Sequence, residues 1–212
     1  MTLTTWRFDA EGAPRSSGTC IVSEDRTNVR CGDRHSFVDP LRALGDVAGK
    51  RVVRFPCRVL GRDDQGKLFC VPGKPSLDYD ATEVLRAFAR KEALGVAHLW
   101  EAPPEVKRYL RTGDEKLRLA ARDAARTAAR HPNWWTAARA TAWATWGTPM
   151  GVTGGAPEAD ATASAAAWAA RATVGATSGT AAWDAAGVAA WGAARKRQSR
   201  RLGRMLLVGA RR

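Results

Sequence analysis

The 212-residue chain carries 34 Lys+Arg against 21 Asp+Glu, a formal net charge of +13, and 45% of its residues are hydrophobic. That length allows one large domain or two small ones, and that apolar fraction excludes wholesale disorder. Met1 to Asp9 holds no apolar run of signal-peptide type, so a cytoplasmic, thiol-reducing setting is expected, with Cys20, Cys31, Cys57 and Cys70 as free thiols.

The first eighty residues contain short β-type runs, each bounded by Gly, Pro, Asp or Asn: Thr4–Phe8, Thr19–Ser23, Asn28–Cys31, Arg51–Leu60 and Leu68–Val71. In the fourth, Val53, Phe55, Cys57 and Val59 alternate with Arg54 and Arg58, which predicts one buried and one basic face. Pro56 inside it predicts an edge strand or a bulge. The loop from Gly61 to Gly66 predicts a hairpin back through Lys67 to Cys70. If Val59 faces Leu68 there, Cys57 faces Cys70, because opposed positions in an antiparallel pair sum to a constant. Asp39-Pro40-Leu41 reads as a helix start, with Asp39 as N-cap and Pro40 in the first helical position.

Cys20, Cys31, His35, Cys57 and Cys70 are separated by 10, 3, 21 and 12 residues, none of which is the close Cys pairing of a structural zinc site. No metal site is expected. Nor is a cofactor, since there is no G-x-G-x-x-G, phosphate-binding loop, H-E-x-x-H or G-x-S-x-G. The one catalytic candidate is His35, with Cys31 as nucleophile and Asp33 or Asp39 orienting the ring. Gly32-Asp33 predicts a turn, which reads His35 instead as a loop histidine bonded to backbone.

The run GDRHSFVDPLRAL from Gly32, then RVVRFPCRVLG from Arg51 and GKLFC from Gly66, resembles a module of unknown function found in bacteriophage and prophage proteins. Gly32, His35, Pro40, Leu41, Gly61 and Lys67 stand on its matching positions, while Phe37 and its neighbours depart from it where the module often has a Cys soon after the His. The resemblance covers roughly residues 30 to 75 and implies a phage setting without implying an activity.

From Asp80 to Trp100 the pattern turns helical, with Val84, Leu85, Phe88, Ala89 and Leu94 opposite Arg86, Arg90 and Lys91. Pro103-Pro104 opens a short helix from Glu105 to Arg111. Thr112-Gly-Asp-Glu115 has the capping-box form and predicts a helix over about Asp114–Arg130. Arg118, Arg122, Arg126 and Arg130 then recur every four residues as one cationic stripe. Further helices are expected over Trp134–Trp146, from Pro157 to about Val174, and from Thr180 to about Leu207.

From Asp114 to Leu207, 30 of 94 residues are Ala, and seven of the chain's nine Trp lie there. Such a stretch is expected to pack Trp rings against small-residue helix faces, in preference to offering the rings to single-stranded bases. Between Ala172 and Ala194 only Asp184 is charged, but Ala, Gly, Thr and Ser are weakly lipophilic and Asp184 costs about 2.5–3.5 kcal/mol in a bilayer, so a membrane span is not expected. The alternating Ala-Ala-Trp and Ala-Ala-Arg blocks are similar to the helical regions of immunity proteins of bacterial toxin systems and to Ala/Trp-rich tails of the phage module. That similarity implies a mobile-element setting and protein binding.

The sequence therefore predicts an α+β chain: a small, mostly antiparallel sheet domain over 1–78, then an Ala/Trp-rich helical bundle over 79–212 with a basic tail. Residues 81–212 carry 21 cations against 10 acids, a field that draws phosphate polymers, anionic lipid or acidic proteins without distinguishing among them. The expected function is a phage- or mobile-element-encoded, non-catalytic interaction protein with a protein partner. The alternative is nucleic-acid binding through Arg118, Arg122, Arg126 and Arg130 with Arg195, Lys196, Arg197, Arg200, Arg201 and Arg204; an enzyme centred on His35 stands third.

Overall fold

The computed structural model describes residues 1–9, 19–32, 34–46, 49–131, 135–145, 162, 164–172 and 185–211. The chain is α+β and forms two compact units, residues 1–82 with 202–212, and residues 83–201.

The first unit is built from β1 (Thr2–Asp9), β2 (Cys20–Val22), β3 (Asn28–Cys31), β4 (Arg34–Phe37), α1 (Pro40–Asp46), β5 (Arg51–Arg62), β6 (Leu68–Pro72) and β7 (Leu77–Asp80). Its strands run in the order β1-β4-β3-β2-β6-β5-β7, and β1 also pairs with β5, so six of them close into an antiparallel barrel. The expected sheet is thus a barrel, which removes the open edges of a flat sheet. Cys20, Val22, Val29, Cys31, Val53, Phe55, Cys57, Leu68 and Cys70 fill its interior, as the alternation in β5 predicts. Asp39 caps α1 by accepting from the backbone N–H of Leu41 at 2.7 Å and of Arg42 at 3.2 Å.

β5 is not an edge strand. It pairs with β1 over its first eight residues on one side, and on the other with β7 over 51–54 and β6 over 57–62. Pro56 lies where that second partner changes. Its carbonyl accepts from Gly73 N–H on this side at 2.7 Å, so the N–H that proline lacks also falls in the gap between partners. The bulge lies further on, between Val59 and Gly61, and it resets the hairpin: Val59 opposes Cys70, and Cys57 opposes Pro72.

The cysteines do not remain four free thiols. In the β2–β3 pair, Ile21 opposes Arg30 and Val22 opposes Val29, which sets Cys20 against Cys31 with Cα atoms 4.4 Å apart, and the two form a disulfide. Cys57 and Cys70 are the free, buried pair. His35 is not in a loop either; it lies in β4 opposite Arg30 of β3.

The second unit contains most of α2 (Thr82–Val96), a 3-10 turn (Ala97–Trp100), α3 (Pro104–Thr112), α4 (Glu115–Ala128), α5 (Trp135–Ala144), α6 (residues 164–172) and the larger part of α7 (Ala185–Gly209). The expected ends at Trp134, Trp146, Pro157, Val174 and Thr180 lie outside the described residues. Its core is alanine around a few large side chains: Ala121, Ala125, Ala137, Ala138, Ala165 and Ala169 gather about Trp100, Val106, Tyr109 and Leu110. Trp143 and Trp168 only flank that core, half-buried. No helix among the described residues is long and apolar enough to cross a membrane.

Candidate anion-binding face

The arginine row of α4 divides into two halves. Asp114 is the N-cap, accepting from Lys116 N–H at 3.0 Å, and the predicted cap Thr112 instead donates its hydroxyl to the Arg108 carbonyl in α3. Arg118 donates to Glu115 at 2.6 Å and to the Thr145 carbonyl at 3.5 Å, and Tyr109 O–H reaches the Ala144 carbonyl at 3.4 Å. Both thereby serve carbonyls at the end of α5 that the helix itself leaves unpaired. Arg122 pairs with the adjacent Asp123 at 3.2 Å. Arg126 and Arg130 are exposed and have no ion-pair partner among the described residues. The stripe predicted as a unit is structural at its start and free only at its end.

On α7 the pattern is cleaner. Ala194, Gln198, Leu202 and Leu206 recur every four residues and are buried. Lys196, Arg200 and Arg204, two positions out of step, are exposed on the opposite side, as helical geometry requires. No carboxylate occurs between Arg195 and Arg212 in the sequence to neutralise them.

A polar seam that sequence reasoning missed joins α2, α6 and α7. Glu92 of α2 has a side chain only 7% exposed; its Oε1 accepts from Arg201 at 2.6 Å and its Oε2 from the Gln198 amide at 3.0 Å. Gln198 donates again to the Ala166 carbonyl of α6 at 2.8 Å, and its Oε1 accepts from Arg195 at 3.3 Å. The amide is thus saturated, and both carboxylate oxygens of Glu92 are held. Its single visible signal was an acidic residue on the apolar side of α2, between Phe88, Ala89, Ala93 and Val96. Arg195 and Arg201, predicted as partner-binding, spend part of their hydrogen bonding on this network.

Two tryptophans of this unit, Trp168 and Trp191, are already covered by cations. Arg139 and Arg171 place guanidinium carbons 5.1 and 5.2 Å from the Trp168 ring centre, and Arg195 lies 5.8 Å from that of Trp191. Such stacking contributes about 0.5–1 kcal/mol at exposed sites and occupies ring faces that a base would need.

His35 is not brought against a nucleophile. The Cys31 sulfur is bonded to Cys20, so the proposed Cys31 thiolate does not exist, and Asp39 is committed to capping α1. Asp33 lies outside the described residues. Among the described residues, no group of three or more His, Cys, Asp or Glu is placed to hold a metal ion. No family model, curated protein or solved structure matches the chain.

Proposed function

We propose that this protein is a non-catalytic binding protein that takes an acidic protein surface through the exposed face of α7, in a phage or other mobile-element setting. The observation that carries this reading is the row Lys196, Arg200 and Arg204, solvent-facing and without a nearby carboxylate in sequence. Exposed apolar side chains Val188, Leu207 and Val208 lie on the same helix. Cations beside apolar contact area suit a protein interface, whose buried centre is apolar and whose Arg content is high. The mobile-element setting rests on the resemblance of residues 30 to 75 and on the similarity of the Ala-Ala-Trp and Ala-Ala-Arg blocks.

Nucleic-acid binding is the second reading, favoured by the end of the α4 row, Arg126 and Arg130, which is exposed and without an ion pair among the described residues. The two separate by experiment. A tagged wild-type chain should recover a stoichiometric protein from producing cells, and the pair Lys196→Glu with Arg200→Glu should lose it. If no partner is recovered, while duplex or single-stranded DNA is retarded with an affinity falling about 0.7–0.9 log units per log unit of salt for each phosphate contacted, the nucleic-acid reading replaces it.

A further inference from the structure

A small cleft of about 160 Å³ opens beside the Glu92 seam, lined by Glu92, Gly95 and Val96 of α2, Ala169 and Ala170 of α6, and Ala194, Arg197, Gln198 and Arg201 of α7. That volume lies below the range of drug-sized sites and admits a ligand of only a few non-hydrogen atoms. We propose that this cleft binds a small aliphatic monocarboxylate, held by Arg197 and Arg201 with its hydrocarbon part against the alanine wall.

Five features support this assignment. The cleft exists because its walls are small, Gly95, Ala169, Ala170 and Ala194 meeting at a junction of three helices. Its charge is matched to one anion: two guanidinium groups and one carboxylate leave a single positive excess. That balance suits a monoanion better than a phosphate dianion. Glu92 does not repel the ligand as an open carboxylate would, because both its oxygens already accept hydrogen bonds. Arg197 is exposed and has no hydrogen-bond or ion-pair partner among the described residues, and Arg201 uses only Nη1 on Glu92, so planar N–H forks remain for a carboxylate. The seam is also hard to explain by stability, since replacing a buried ion pair by packed apolar groups is often neutral or stabilising. Here the pair anchors Arg201 in the lining of the cleft. This site is distinct from the exposed Lys196–Arg200 row and does not depend on it.

Gly95 supplies a clean test. Gly95 lines the cleft in helix α2 and a Cβ added there meets nothing within 4 Å, so Gly95→Leu sets a bulky side chain at the cleft wall without a clash while favouring the helix. Butyrate is titrated into wild-type protein by ligand-observed NMR and calorimetry, with inorganic phosphate as a second arm. Saturable butyrate binding should appear in the wild type and vanish in Gly95→Leu, with circular dichroism and melting temperature showing that this variant folds. It should weaken at least about tenfold in Arg197→Ala, the loss of one charge-assisted contact, and stay unchanged in Lys196→Ala. No saturable binding in the wild type, butyrate binding that survives Gly95→Leu, or tighter binding of phosphate than of butyrate would each overturn the proposal.

Discussion

Arg7 and Asp9 share the side of β1 that carries Thr5, whose hydroxyl lies 3.8 Å from the Cys57 sulfur in the barrel core. They bond at 2.8 Å with side chains 4% and 9% exposed, and Arg7 also lies 5.5 Å over the Phe55 ring. A charge left behind there has no water to turn to. Asp9→Ala should therefore lower stability by about 3–5 kcal/mol in urea unfolding; a loss under 1 kcal/mol would mean that Arg7 finds solvent. The same residue explains Gly49, where a Cβ would run into the Asp9 backbone, so any side chain at that position must displace the end of β1. The thiols make a second residue-scale case. Burial raises Cys57, and burial with the neighbouring Cys57 pushes Cys70 up to about 12. Both stay protonated and unreactive at neutral pH. Iodoacetamide should add nothing to the native protein, two groups after unfolding without reductant, and four after reduction; four without reductant would show that Cys20 and Cys31 are not joined.

At the scale of elements, helix starts were legible where one side chain makes the cap, as at Asp39. They were less legible where two candidates stand close, as at Thr112 and Asp114. Asp114→Ala should cost α4 about 1 kcal/mol, and Thr112→Ala should leave its start in place. β5 was legible through its alternation, but β4 and β7 were not. Arg34–Phe37 offers no apolar alternation, and Leu77–Asp80 is held by ion pairs from Arg51 to Asp78 at 2.6 Å and Lys50 to Asp80 at 3.2 Å, which leave no hydrophobic period to read. The disulfide was hidden in register: both strands were predicted, but which residue opposes which was not. Glu92 and Gln198 are 106 residues apart, so the cleft they line was invisible, whereas the basic face of α7 could be read from spacing alone. β7 is also tied to the last helix by Tyr79, whose hydroxyl donates to the Leu206 carbonyl at 2.7 Å. Burial pushes Tyr79 up to about 12, and burial raises Tyr109 as well. Unfolded tyrosine ionises near pH 10, so this contribution to stability is complete below about pH 10 and is lost as the pH rises toward 12. Absorbance at 295 nm should show less tyrosinate in the native protein than in the unfolded chain at pH 10; equal ionisation of the two would refute the burial of these rings.

For the whole molecule, the division of labour between alanine and the larger side chains decides where stability lies. Buried alanines let helices approach but each removes little apolar area, so the 83–201 unit depends on its few large groups. Trp100, 2% exposed, should cost about 3–5 kcal/mol on change to Ala, while half-buried Trp191 should cost markedly less; equal losses in thermal unfolding would contradict this core. The barrel is organised the opposite way, around one long ladder. Its β1–β5 pairs join Asp9 to Arg51 and Thr2 to Arg58, separations of 42 and 56 residues. Distant pairings must close their loop before any contact repays the lost entropy, which slows folding, whereas helices propagate locally. During synthesis β1 waits for its longest partner until β5 has emerged, and over that interval its row of Trp6 and Phe8 is exposed to other chains. The barrel, whose ring of six strands is closed when finished, is thus most vulnerable to misassociation while it is being made.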